Sequence, residues 1–396
     1  MRLSDRVKAI SPSPTLAVDA RAKELQAQGM DIVNFGVGEP DFDTPLHVGD
    51  AAIAAIRGGF TRYTPAAGTL ELREAIGARL SRELALEYRP DEVVVSVGAK
   101  HSLYNAVMAL CNPGDEVLIP APYWVTYPEQ VKLAGGTPVI VPTEEAHGFR
   151  VTRDALEARA TRRTRLLILN SPGNPSGAVY RREEVEALAE FVLARDLYLI
   201  SDEVYDRLVY DGHRHVSPAS LSSEMKARTV LVNAVSKTYA MTGWRIGYAA
   251  CHRDLARAMG ELQGHATSNP ASISQKAALA ALKGPDAPVE AMRREFQRRR
   301  DYMAAELAAM PGMTCRVPEG AFYVFPNVSA LLKPGGGGRR FAGSDELAAF
   351  LLEEARVATV AGKGFGSDQH LRFSYATSLE RIQAGLARVR EALARL

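Results

Sequence analysis

Cysteine is scarce in this chain, with three in 396 residues, at Cys111, Cys251 and Cys315. They are odd in number, far apart and without CxxC spacing, which argues against a disulfide framework and against a zinc knuckle. An excess of charge is also missing. Lys plus Arg number 48 and Asp plus Glu 46, a net +2 that gives no reason to expect nucleic acid or an acidic membrane as partner. Nowhere do about 18 apolar residues run without a charge, so no membrane span is expected. The N-terminus reads Met1-Arg2-Leu3-Ser4-Asp5-Arg6, charged where a signal peptide is apolar. The expectation is a soluble, cytoplasmic enzyme.

What is present is ordinary globular material, 46% hydrophobic and 24% charged, with 14 Tyr and 12 Phe to fill a core. The length allows roughly two to three domains of ~150 residues. Up to residue 45 the chain reads as irregular, because Pro12, Pro14, Pro40 and Pro45 break any long element. From about residue 90, short apolar runs alternate with amphipathic stretches. Strands are expected at Val93–Val97, Val117–Ile119, Leu166–Leu169, Leu197–Ile200 and Val230–Val232, with helices at Lys100–Leu110 and Trp124–Leu133. Val185, Leu188, Ala189 and Val192 give a further helix with one buried stripe. This alternation implies an α/β fold with a mostly parallel central sheet covered by helices on both faces. Near residue 285 the pattern changes to an α+β region, with a long charged helix at Glu290–Met310. Short strands are expected at Ala321–Phe325 and Leu371–Ser374, and helices near Asp345–Glu354 and Leu379–Leu396. The division is therefore 1–45 as an N-terminal arm and part of a small domain, 46–284 as the large domain, and 285–396 as the small C-terminal domain. The arginines at 293, 294 and 298–300 read as a solvated helix face. Gly335–Gly338 reads as a flexible surface loop.

Four segments put polar groups directly after a buried strand, where open parallel sheets bind ligands. Gly98-Ala99-Lys100 opens a helix whose backbone N–H groups can cradle a phosphate, although a tight turn needs the same residues. Asn170-Ser-Pro-Gly-Asn174-Pro-Ser-Gly177 is a heavily constrained loop carrying two side-chain amides. Asp202 and Tyr205, three apart, share a site if the chain turns helically; Asp202 could equally cap a helix. Ser236-Lys237, with Arg245 a few residues on, offers a lysine for Schiff-base chemistry beside an anion clamp, or else an exposed loop lysine. His213 and His215 lack any metal-ligand pattern and read as a solvated loop, and Lys363 between glycines reads as a turn.

Taken together and in order, these segments resemble the fold-type I, class I aminotransferases that use pyridoxal 5'-phosphate. The match runs through Gly36-Val-Gly38-Glu-Pro-Asp41, Tyr63-Thr-Pro-Ala-Ala-Gly68, Pro122-Tyr-Trp124, Asn174-Pro-Ser-Gly177, Asp202-x-x-Tyr205, Ser236-Lys237, Arg245 and Leu371-Arg372-Phe-Ser-Tyr375, nearly the whole chain. Ser13-Pro14-Thr15 and Gly98-Ala99-Lys100 look most like the aspartate aminotransferase subgroup that includes prephenate-using members. The resemblance implies Lys237 as the Schiff-base lysine and proton shuttle, and Asp202 as the partner of the pyridine nitrogen. Tyr205 and Asn174 fall to the ring 3-oxygen, and Trp124 to the ring face. Arg245, Ser236 and the amides near Ala99 and Lys100 fall to the phosphate. Arg372 is expected to grip the substrate α-carboxylate beside the Gly38 backbone. Lys100, Ser13 and Thr15 are expected at the distal carboxylate of the substrate. Tyr63 is expected to reach the phosphate of a second subunit, which implies a homodimer with shared active sites. The substrates implied are amino acids and 2-oxo acids.

The chain departs from the family pattern in three places. Ser176 stands where Thr is more usual, Ser11 where close relatives often carry Lys or Arg, and Ala361-Gly-Lys-Gly364 where a Pro-Gly turn is more usual. The expected reaction moves the amino group of aspartate to 2-oxoglutarate by a ping-pong mechanism. Prephenate or aromatic transamination and a PLP-dependent C–S lyase are the alternatives. A cofactor-sensing regulatory domain would need a fused DNA-binding domain, for which there is no room ahead of residue 30.

Overall fold

The computed structural model describes residues 2–332 and 341–396; the Gly335–Gly338 run lies outside the described residues. Its strands in chain order are β1 Val33–Asn34, β2 Val93–Ser96, β3 Glu116–Pro120, β4 Thr137–Val141, β5 Thr164–Asn170 and β6 Tyr198–Asp202. They continue with β7 Thr229–Ala234, β8 Gly247–Ala250, β9 Tyr323–Val324, β10 Val357–Ala358, β11 Val360–Ala361 and β12 Leu371–Ser374. Seven of them form one sheet in the order β2-β8-β7-β6-β5-β3-β4. Every pairing is parallel except those of β8, which runs antiparallel to both β2 and β7.

Side chains alternate across this sheet with the two-residue period of a strand. Val94, Val117, Ile119, Ile168, Ile200, Val230 and Val232 pack on one face with helix Ala99–Leu110. Leu118, Leu167, Leu169 and Leu199 pack on the other with helix Arg182–Ala194. Because both faces are covered, the central strands carry unbroken apolar runs such as Leu166–Leu169 and Val230–Val232, which is why they stand out in the sequence. Edge strand β4 is only partly buried and β8 is the glycine-led GYAA, so neither carries that mark.

A second, antiparallel sheet, β11-β12-β9, carries Arg372 on its central strand. Its core continues onto Val204–Tyr210 and Ala234 beside the ends of β6 and β7, so the two sheets meet there. The N-terminal arm is not irregular as expected. Pro14–Ala27 is a fourteen-residue helix, in which Pro14 is the first residue and its missing N–H is not needed. Ala22 and Leu25 of this helix pack on Ala358, and β1 pairs with β10.

The arginine run of helix Ala287–Ala308 is also not simply a solvated face. Arg299 and Arg300 are buried, the first bonded to Asp41 at 2.7 Å and the second to Asp211 at 2.6 Å. A third buried arginine, Arg79, donates to Asp206 at 2.6 Å, Tyr248 at 2.7 Å and Glu83 at 2.9 Å. Arg79→Ala would leave the buried Asp206 without its cation, so unfolding of the protein in urea should lose about 3–5 kcal/mol. A loss below about 1 kcal/mol would mean that the network is not holding helix Leu70–Leu84 to the sheet.

Candidate active site

β5, β6 and β7 run side by side in the same direction, with Asn170 opposite Asp202 and Val232 opposite Asp202 on the other side. The segments leaving these strands therefore converge on one rim. There lies a cavity of about 410 Å³. Asp202, Tyr205, Asn174, Ser236, Lys237 and Arg245 line it, with Ala99, Lys100 and Trp124 on one side. Gly38, Arg372, Ser13 and Thr15 close it from the N-terminal arm and the smaller sheet. Tyr63 is not among the lining residues; its side chain is 90% exposed.

Asp202 is buried, and burial pushes its carboxyl up to about 6, even though hydrogen bonds from Tyr127 and the Val204 amide pull it down. The Tyr127 hydroxyl donates to Asp202 Oδ2 at 2.6 Å. Lys237 Nζ donates to the Gly38 carbonyl at 2.5 Å. Burial brings this amine down to about 8, Glu39 opposing and the cations Arg245 and Arg372 adding to the fall. Arg372 is buried too, and burial lowers its pKa below that of a free guanidinium. It donates to Asn174 Oδ1 at 3.0 Å and to the Gly36 carbonyl at 2.7 Å, while among the described residues its Nε has no partner. Ser13 and Thr15 are joined through their hydroxyls at 3.0 Å, and the Lys100 ammonium lies 4.9 Å from the centre of the Trp124 ring.

The segment around Gly98 is built for close approach. Gly98 has φ +81° and precedes helix Ala99–Leu110. A Cβ on Gly98 would run into the Arg245 guanidinium, and one on Gly247 would sit on the Ala99 amide nitrogen. Free backbone N–H groups at a helix N-terminus, with an arginine against them and Ser236 on the same rim, make a cradle for a phosphate.

Sequence reasoning misses Tyr127 and Tyr323, both buried and both lining the cavity. Tyr127 is three residues beyond Trp124, a helical spacing that could have suggested it. His215 is not on a solvated loop. It is buried with Nε2 2.8 Å from Glu203, whose carboxylate also accepts from Ser201 at 2.8 Å and Ser217 at 2.7 Å. Burial lowers the pKa of this imidazole, but the Glu203 charge and hydrogen bond outweigh it and the net shift is upward.

The carboxyl of Asp202 binds its proton more tightly folded than unfolded, 3.8 rising to about 6. The folded state therefore holds the extra proton between these values, and stability falls as pH climbs through that window. In the protein without added cofactor, Asp202→Asn should remove a loss of up to about 3 kcal/mol between pH 4 and 6, measured as the difference in urea unfolding between the two proteins. Parallel pH profiles for the two would refute the shift.

The family described as aminotransferase class I and II matches residues 30–389. Aspartate aminotransferase of Geobacillus stearothermophilus is 50% identical, over 98% of this chain and 98% of that one. The aspartate/prephenate aminotransferase of Cereibacter sphaeroides is 47% identical, over 98% and 97%. Among solved structures, the aspartate aminotransferase of Rhizobium meliloti superposes with a TM-score of 0.96 at 45% identity, covering 100% of both chains. That of Thermus thermophilus with maleate gives 0.93 at 43%, over 99% and 100%. The phosphate cradle, the buried acid Asp202 and the amine Lys237 fit pyridoxal phosphate. The chain belongs to the class I and II aminotransferases, pyridoxal-phosphate enzymes of fold type I.

Proposed function

We propose that this enzyme moves the amino group of L-aspartate to 2-oxoglutarate, giving oxaloacetate and L-glutamate in two half-reactions. The observation that carries this reading is that, with Lys237 and Arg245 given to the cofactor and Lys23 paired with Asp19 at 2.8 Å, two further cations line the same cavity, Arg372 and Lys100. A dicarboxylic amino acid needs both. Aspartate is also the substrate shared by the names of the relatives, including the one named for prephenate as well.

Pyridoxal phosphate, when bound, supplies a ring that delocalises the electron pair left when the Cα–H bond breaks. The chain's residues do the rest. The helix N-terminus at Ala99 and Lys100, together with Ser236 and Arg245, holds the phosphate, and Trp124 covers a ring face. Asp202 keeps a proton on the ring nitrogen by offering a buried carboxylate. Tyr205 and Asn174 hydrogen-bond the ring oxygen. Lys237 would hold the cofactor through its amine and, as a free amine, would take the proton from Cα. An amine near 8 is suited to this, being partly neutral at the pH of use. Arg372 grips the α-carboxylate through two parallel donors, fixing position and rotation, beside the Gly38 backbone. Lys100, Ser13 and Thr15 meet the distal carboxylate.

The chain divides for this purpose into residues 1–45, 46–284 and 285–396. It works as a homodimer in which Tyr63 reaches the phosphate of the other subunit. Exposed apolar side chains close to Tyr63 in sequence, Leu46, Ile53, Ile56 and Leu70, support a second copy covering this surface. The three unpaired cysteines agree with a cytoplasmic setting.

Lys237→Ala should abolish the pH-sensitive visible absorbance of the bound cofactor and reduce turnover by roughly three orders of magnitude or more. Near-normal turnover would overturn the assignment. With aspartate and no 2-oxo acid, the wild type should stop after a single half-reaction, whereas continuous 2-oxo acid release would indicate a lyase. Lys100→Ala should reduce kcat/KM for aspartate by ~1.5–3 kcal/mol and for alanine much less. Equal losses for both donors would leave Lys100 to the phosphate alone.

A further inference from the structure

Tyr323 lies on β9 opposite Ser374 of β12, the strand that carries Arg372. Its ring is under the Arg372 guanidinium, 4.5 Å from centroid to carbon. Its hydroxyl is 3.0 Å from that of Tyr205, and a Cβ on Gly38 would come within 3.1 Å of it. The backbone leading to it is pinned from the larger sheet's side: the Ala321 amide donates to the Leu208 carbonyl at 2.9 Å. The Ala321 carbonyl in turn accepts from Tyr375 at 3.1 Å. Tyr323 thus touches both the arginine on the smaller sheet and the tyrosine just past β6.

A phenol has one proton to give and can accept in return. In the free site either hydroxyl can donate to the other. Once Tyr205 donates its hydrogen bond to a ring oxygen, its own oxygen can only accept from other groups, and Tyr323 is in position to donate to it. Donation in series strengthens the outer hydrogen bond. Burial raises both phenols above their usual range, so both protons are present. The charged and titratable groups facing this pair are Arg372 on β12 and Asp202 at the end of β6, with Lys237 and Tyr127 around Asp202. Stacking, for its part, holds the guanidinium plane of a desolvated arginine.

We propose that Tyr323 is a positioning residue that joins the carboxylate grip to the ring-oxygen contact, its ring fixing the Arg372 guanidinium and its hydroxyl donating to Tyr205. This rests on the proposed roles of Arg372 at the α-carboxylate and Tyr205 at the ring oxygen.

Two variants separate the two halves. Tyr323→Phe keeps the ring and the packing but removes the donor. Tyr205 then becomes a weaker donor, more negative charge stays on the ring oxygen, and the proton beside that oxygen is held more tightly. The midpoint of the pH titration of the bound cofactor's visible absorbance should rise by about half a pH unit or more. The Kd for succinate, a non-reacting dicarboxylate, should stay within about twofold. Tyr323→Leu removes the ring as well and should raise that Kd about tenfold. An unmoved midpoint in Tyr323→Phe overturns the hydroxyl relay, and should Tyr323→Leu fail to fold, that variant alone decides. An unchanged succinate Kd in Tyr323→Leu overturns the stacking role. Tyr205→Phe and Arg372→Lys serve as controls. If they leave midpoint and Kd unmoved, the underlying roles fail and the proposal falls with them; if they move both while the Tyr323 variants do not, only the role of Tyr323 is lost.

Discussion

Asp202 ends β6 with its carboxylate out of water, and a buried carboxylate persists only with donors or a cation beside it. Tyr127 supplies a short hydrogen bond and the Val204 amide a longer one, and burial still lifts the group to about 6. A positive charge entering the cavity beside Asp202 would offset that lift. The turn after β6 repeats the problem and solves it locally. Glu203 is matched by Ser201, Ser217 and His215, and Asp206 by Arg79 and Asn233. Only the first acid of the three is left open toward the cavity, while its neighbours are tied into the layer behind it.

The opposite wall depends on a different economy of hydrogen bonds. Arg372 and Lys237 rest on the backbone carbonyls of Gly36 and Gly38, so both cations have acceptors without any ligand. A ligand that bound at either cation would exchange one acceptor for another, and its affinity would reflect the difference between them. Asn34 holds the start of this segment through the Gly36 amide at 2.9 Å, and Thr242 holds Glu39 at 2.8 Å. The acceptors are therefore fixed in place before a substrate arrives.

The sequence makes the parallel core and the strand-end residues legible for one reason. A strand covered on both faces is a continuous apolar run, and the first polar residues after it are at the ligand-binding rim. Asn174, Asp202 and Lys237 are legible in this way. Tyr323 is not, because it lies inside a strand whose pattern packing alone explains, and Tyr127 shows only as a helical step of three from Trp124. Arg299 and Arg300 read as solvated because a charge run does not reveal that Asp41 and Asp211, distant in sequence, come to meet it. Pro14 reads as a breaker because composition does not distinguish the first turn of a helix from its interior. The resemblance, not the spacing, supplies Arg372, whose strand is far from β6 in sequence and joins the cavity only when the two sheets meet.

The reversed strand β8 has a consequence for how chemistry can be concentrated in so small a space. Were all seven strands aligned, only their leaving ends would face the rim, and each would be separated from the next by a full crossover. Because β8 runs the other way, its beginning lies at that rim, with Gly247 beside both Ser96 and Ala234. The stretch from 235 to 246, with helical turns at Val235–Thr238 and Thr242–Trp244, is thereby a short connection staying at a single edge, departing from β7 and returning into β8. Lys237 and Arg245 are both on it, eight positions apart, and the pairing of β7 with β8 holds both ends of the stretch that carries them. One inverted strand thus yokes the amine of Lys237 to the guanidinium of Arg245 on a single rim.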